Sequence, residues 1–131
     1  MTVIKYQAGK NKIYNKAGLQ AYGSFAADLE GLNPKELLES SIGLCVSISL
    51  TKILERDNIS LEDALFNVEV TAQKDDSREN RFSNFIVNID FPLNLEAGYK
   101  KKLMDSIERG CTISNTLKGI SDIKLIDNNE E

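Results

Sequence analysis

The chain has 131 residues, with 16 Lys and Arg against 20 Asp and Glu for a net charge of −4, and it holds two Cys but no His. The missing imidazole excludes a Ser-His-Asp triad, a Cys-His pair and any His-ligated zinc or haem. The acidic balance argues against nucleic-acid and anionic-membrane partners, which need a basic face. Chemistry must come from Cys, carboxylates, Lys, Arg, Tyr or backbone groups, in what reads as a single domain over residues 1–131.

Strand-like pieces run from Val3 to Tyr6, Lys12 to Asn15 and Leu19 to Phe25, separated by Gly9 and Gly18 where turns are expected. They predict an antiparallel meander. Asn33-Pro34-Lys35-Glu36 then supplies an N-cap residue, a proline at the first helical position and a Glu three residues after the cap. A helix should start here. From Glu36 to about Arg56 nothing breaks it, and Leu37, Leu38, Ile42, Leu44, Cys45, Val46, Ile48, Leu50, Ile53 and Leu54 surround its axis. A helix apolar all round is buried. Ser40, Ser41, Gly43, Ser47 and Ser49 are small enough for another element to approach its backbone. In a chain this short such a helix needs more cover than the remaining residues supply, which predicts an oligomer. The first twenty residues lack the apolar stretch of a signal peptide, and no run of about 18 consecutive apolar residues marks a membrane span. The expected location is the cytoplasm.

After Asp57-Asn58 and a short Leu61–Ala64 turn, the segments Phe66–Lys74 and Phe82–Phe91 alternate apolar and polar residues, the pattern of a hairpin. Its charged tip, Asp75 to Arg81, reads as a solvated turn without function. A second helix is predicted from about Leu95 to Arg109, with Tyr99, Leu103 and Ile107 on its apolar stripe and Lys100, Lys101 and Lys102 on a wet face. Gly110 ends it, Ser114 to Gly119 reads as a short helical turn, Ile120–Ile126 as a last strand, and Asp127–Glu131 as a frayed acidic tail.

In a reducing compartment two Cys with 65 residues between them read as buried thiols or a redox pair. Cys45 lies mid-helix, where a small apolar filler is the ordinary reading. Cys111 follows Gly110 and precedes a short helical segment, a setting that lowers a thiol pKa. From local physics Cys111 is the better candidate thiolate.

The run Asn33-Pro34-Lys35-Glu36-Leu37-Leu38-Glu39-Ser40-Ser41-Ile42-Gly43-Leu44-Cys45, together with Cys111-Thr112-Ile113-Ser114-Asn115-Thr116-Leu117-Lys118-Gly119, resembles the OsmC/Ohr family of osmotically induced and organic hydroperoxide resistance proteins. The similarity covers nearly the whole chain and is nearest to the YhfA-like branch. It implies an α+β fold of antiparallel sheets packed on a long central helix, in an intertwined homodimer with sites at the subunit interface. It also implies that Cys45 attacks the O–O bond of a hydroperoxide and becomes a sulfenic acid. Cys111 then condenses with Cys45 to a disulfide that an external dithiol reduces, with no bound cofactor and no metal. The resemblance thus reverses the local ranking of the two thiols.

The chain departs from the peroxidase branches at two places. Their Glu stands at the third position of the Asn-Pro motif, where this chain has Lys35 with Glu36 one residue later. On an unbroken helix Glu36 lies about 13.5 Å along the axis from Cys45 and half a turn away. Glu36 is therefore read either as a site carboxylate or as the capping-box residue; Glu39 is read as a surface charge. Those enzymes also place an arginine near the chain start, and here none precedes Arg56. Lys10 or Lys12 could supply charge there, without the planar guanidinium fork. The expected function is thiol-dependent hydroperoxide reduction. The alternative is a dimer that holds a small apolar or thiol-reactive molecule at its interface without efficient turnover.

Overall fold

The structure is a computed structural model that describes residues 1–62, 64–76 and 80–129. The turn read at Leu61–Ala64, the charged loop at 75–81 and the acidic tail at 127–131 therefore lie partly outside the described residues. The architecture is α+β with antiparallel sheets. It resolves into two compact units, Met1–Leu44 with Asn67–Asp90, and Cys45–Phe66 with Phe91–Glu131.

In the first unit, β1 (Val3–Gln7), β2 (Lys10–Asn15) and β3 (Gly18–Gly23) form the expected meander in that order. Ala8 and Gly9, at φ of 53° and 79°, make the first turn in the left-handed region that two-residue hairpin turns use. The third strand stops at Gly23, and Phe25, expected inside it, is fully exposed. After it the chain folds back, with Leu32 N–H donating to the Tyr22 carbonyl at 3.0 Å and Ser24 N–H to the Leu32 carbonyl at 2.9 Å. Gly31 lies so close to this crossing that a Cβ there would run into the Tyr22 carbonyl.

The helix α1 (Pro34–Arg56) starts with both halves of the predicted capping box. Glu36 N–H donates to Asn33 Oδ1 at 2.8 Å, and Asn33 N–H donates to Glu36 Oε1 at 2.9 Å. Gly43 brings the helix against β4 (Asn67–Lys74), with Val70 Cγ2 3.4 Å from where a Cβ would stand. Glu39 makes a second tie, its Oε2 accepting the Ala72 N–H of β4 at 2.8 Å while Lys35 pairs with it at 3.6 Å. This overturns the reading of Glu39 as a surface charge: it satisfies a strand N–H that no ladder reaches. The strand β4 pairs antiparallel with β5 (Phe82–Asp90) in a second, two-stranded sheet.

Within the chain α1 is buried along one stripe only. Ile42, Val46, Leu50 and Leu54, four residues apart, are at most 3% exposed, whereas Leu44 and Ile48 are 62% and 44% exposed. The all-round burial expected from composition is not reached by one copy of the chain. The helix is also long and apolar enough, by length and composition, to cross a membrane, as the cores of soluble proteins can be. That corrects the expectation that no segment qualifies, because a span tolerates the Ser and Gly that interrupt the apolar run.

In the second unit α1 ends with Asn58 at φ 60°; Asn58 N–H donates to the Glu55 carbonyl and Ile59 N–H to the Leu54 carbonyl, a Schellman closure with Asn in place of Gly. The helix α2 (Ala97–Gly110) buries Leu103 and Ile107 as its stripe predicts, and Met104 stays half-exposed. Cys111 closes α2 through its N–H to the Ile107 carbonyl and opens α3 (Thr112–Lys118), two residues earlier than the sequence suggested. The last strand expected at Ile120–Ile126 is absent. Those residues have no ladder partner in this chain, and Ile120, Ile123, Leu125 and Ile126 are 78–103% exposed. A strand needs an edge to pair with, and alternation alone does not supply one.

Candidate thiol site

Both cysteines are free, and both belong to the second unit. Cys45 is carried by α1 and is half-buried; Cys111 sits at the joint of α2 and α3 and is 1% exposed. Cys45 is near enough to Cys111 to be one of the side chains that lower its pKa. Ser114, one turn into α3, donates its hydroxyl to Cys111 Sγ at 3.2 Å.

These contacts act on the Cys111 thiol. Burial pushes the Cys111 thiol up, but the hydrogen bonds from the Cys45 thiol and the Ser114 hydroxyl, joined by the backbone N–H groups of Ser114 and Ile113, outweigh it. The Cys111 pKa is lowered in consequence, because every one of these donors favours the thiolate over the thiol. The lowering at Cys111 has the direction expected from its local setting. Ser114 was missed by sequence reasoning. Its signal was present, since a Ser three residues after a Cys on a helical turn places the hydroxyl beside the sulfur.

Glu36 is committed to the capping box and stands nine residues before Cys45 on an unbroken helix. It is not among the groups that act on the Cys111 sulfur. Of the arginines near the pair in sequence, Arg56 binds Asp57 at 3.3 Å and Arg109 donates to the Asp105 carbonyl at 3.3 Å. Among the described residues no group of three His, Cys, Asp or Glu could hold a metal ion.

A separate concavity of about 270 Å³ lies between the end of α1 and α2, lined by Ile53, Arg56, Asp57, Tyr99, Lys102 and their neighbours, and by neither cysteine. Tyr99 donates to Asp57 Oδ2 there at 2.6 Å. Hydrogen bonds from Tyr99 and then Arg56 hold the Asp57 carboxyl below its ordinary value. Burial, followed by the bond to Asp57, pushes the Tyr99 hydroxyl up to about 12.

The sequence profile described as OsmC-like protein matches residues 26–126, a span that includes both cysteines and the capping box. The chain belongs to the OsmC-like protein family. Solved structures agree on the fold. An OsmC-like protein from Mycoplasma pneumoniae is 13% identical over 92% of this chain and 89% of its own, with a TM-score of 0.73. The organic hydroperoxide resistance protein OhrB of Bacillus subtilis is 20% identical over 91% of each chain, with a TM-score of 0.58. An organic hydroperoxide resistance protein OsmC from Legionella pneumophila is 18% identical over 91% of this chain and 90% of its own, again at 0.58. Curated proteins give no match. In this OsmC-like chain the arrangement can do what two adjacent thiols do: form a sulfenic acid, close a disulfide and exchange with an external dithiol.

Proposed function

We propose that this chain is a thiol-dependent hydroperoxide reductase. Cys45, the more exposed sulfur, attacks the terminal peroxide oxygen and becomes a sulfenic acid. Cys111 then attacks the Cys45 sulfur, a disulfide closes, and an external dithiol restores both thiols. The observation that carries this reading is the meeting of two free thiols from segments 65 residues apart, one half-exposed and one held toward its thiolate. The names of the Bacillus and Legionella proteins support the substrate class. The working unit in this proposal is a homodimer in which a second copy covers Leu44 and Ile48 of α1 and the exposed apolar residues at 120–126.

The test is consumption of cumene or tert-butyl hydroperoxide with dithiothreitol or dihydrolipoamide as reductant. Wild type turns over, Cys45→Ser is inactive, and Cys111→Ser stops after one turnover. Wild-type consumption no faster than that of Cys45→Ser overturns the proposal.

One observation favours a second reading. No cation is among the groups that act on the Cys111 sulfur, and the exposed apolar surface could hold a small apolar or thiol-reactive molecule without turnover. Native labelling with a maleimide separates the two. Labelling of Cys45 only after denaturation supports the binding reading, and labelling of the folded protein supports the enzyme.

A further inference from the structure

The concavity of about 270 Å³ between the end of α1 and α2 takes no part in the thiol chemistry, and all of its lining residues belong to the second unit. Three cations line it against two carboxylates, a local excess of positive charge in a chain whose net charge is −4. On the α1 side the charges are matched. Asp57 Oδ1 accepts from Arg56 Nε at 3.3 Å and Oδ2 from the Tyr99 hydroxyl at 2.6 Å. Those bonds hold the Asp57 carboxyl below its ordinary value, so it stays ionised and balances Arg56.

The α2 side is left with donors. Lys102, Ser106 and Arg109 follow one another at intervals of four and three residues, which puts them on one face of the helix over about 10.5 Å. Arg109 is steadied by its Nε bond to the Asp105 carbonyl at 3.3 Å. Among the described residues neither its terminal amino groups nor Lys102 form an ion pair, and the adjacent Glu108 pairs with Lys118 instead, at 3.9 Å. Ser106 is half-buried, and its hydroxyl does not bond back to a carbonyl of its own helix as those of Ser41, Thr51 and Thr116 do. Ile53 and the buried Leu103 add an apolar part to the lining. One group opposes an anion here: the carboxylate of Asp105, which has no ion pair among the described residues.

We propose that this concavity is a binding site for a small organic anion, a carboxylate or a phosphate monoester with a short apolar body, held by Lys102, Ser106 and Arg109. The guanidinium of Arg109 presents two parallel N–H donors that match two oxygens of either headgroup, and Lys102 adds a point charge. The Ser106 hydroxyl, placed between them in sequence, donates to a remaining oxygen, and the apolar body lies against Ile53 and Leu103. The volume is at the small end for ligand pockets and admits one ring, not a nucleotide. Asp105 weakens the site for every anion and most for those of higher charge. The proposal is independent of the reductase reading.

The experiment is titration of the full-length, isotope-labelled chain with benzoate, phenyl phosphate and benzamide, read by backbone amide shifts. Saturable shifts confined to the end of α1 and to α2 are expected with the two anions, and the tighter one identifies the headgroup that the site is built for. Benzamide has the shape of benzoate without its charge and should bind about tenfold more weakly. Lys102→Gln and Arg109→Gln should each weaken benzoate binding about two- to fivefold, and Ser106→Ala by less. Asp105→Asn, which removes the opposing charge, should tighten it. Lys102, Asp105 and Arg109 are exposed, so these substitutions leave the core intact, and the opposite sign at Asp105 separates a lost contact from a damaged fold. Benzamide binding as tightly as benzoate overturns the proposal. So do saturable shifts confined to other parts of the chain, absence of saturable shifts with either anion, or unchanged affinity in both Lys102→Gln and Arg109→Gln.

Discussion

Cys45 lies inside a 23-residue helix whose N–H groups are engaged by carbonyls one turn back, whereas Cys111 stands where α2 hands over to α3 and first-turn N–H groups have no helical acceptor. The same side chain therefore meets opposite conditions. At Cys45 the backbone offers nothing to a negative charge, but the side chain reaches solvent; at Cys111 donors converge on a sulfur that solvent does not reach. Solvent access and thiolate-favouring donors are separated between two residues instead of being combined in one. The lesson is that the same side chain meets different donors in the middle of a helix and at the joint of two helices.

The largest expected way to break this difference is to loosen the helix that fixes Cys45. Leu50→Ala empties a fully buried position and should cost about 2–5 kcal/mol of unfolding free energy in denaturant titration. It should also erase the contrast in native thiol labelling. Asn33→Ala sharpens the comparison by separating stability from thiol chemistry. Loss of the capping box should cost about 0.5–2 kcal/mol while the order of labelling, Cys45 before Cys111, stays as in wild type. A cost without that unchanged order would mean that the helix start reaches the sulfurs.

Tyr99→Phe is the smallest effect and serves as a control away from the pair. The Tyr99 hydroxyl has a folded-state pKa raised to about 12, so its bond to Asp57 contributes stability that is present below the ordinary tyrosine value near 10 and lost as pH rises toward 12. Asp57 is lowered, so its share is present above the ordinary carboxylate value near 3.9 and lost as pH falls through its folded value. Melting curves across pH should show both limbs flatten in Tyr99→Phe, with peroxide consumption at neutral pH unchanged.

Local signals carried far in this chain. Asn33-Pro34-Lys35-Glu36 names its helix start because every atom of the capping box lies within four residues, and Val68, Val70 and Ala72 against Phe85, Val87 and Ile89 name a hairpin by period alone. What was not legible depends on partners distant in sequence. Glu39 could not be placed on the Ala72 N–H from helix spacing, because that donor belongs to a strand 33 residues away. The segment 120–126 has strand residues but no edge in this chain to receive them. The thiol pair was half legible: the helix joint that carries Cys111 is a local feature, whereas the nearness of Cys45 depends on a tertiary approach that no spacing encodes.

Gly31 follows an exposed stretch that reads as a spacer between β3 and α1. Its backbone lies against the Tyr22 carbonyl, where no side chain fits, and the bond from Leu32 to that carbonyl sets the path by which the chain enters the helix. Replacement of each loop residue in turn would accept change at Ala26, Ala27, Asp28 and Glu30 and refuse it at this one codon. A segment that would be chosen first for inserting a tag or a reporter thus contains the least replaceable position between the sheet and the helix.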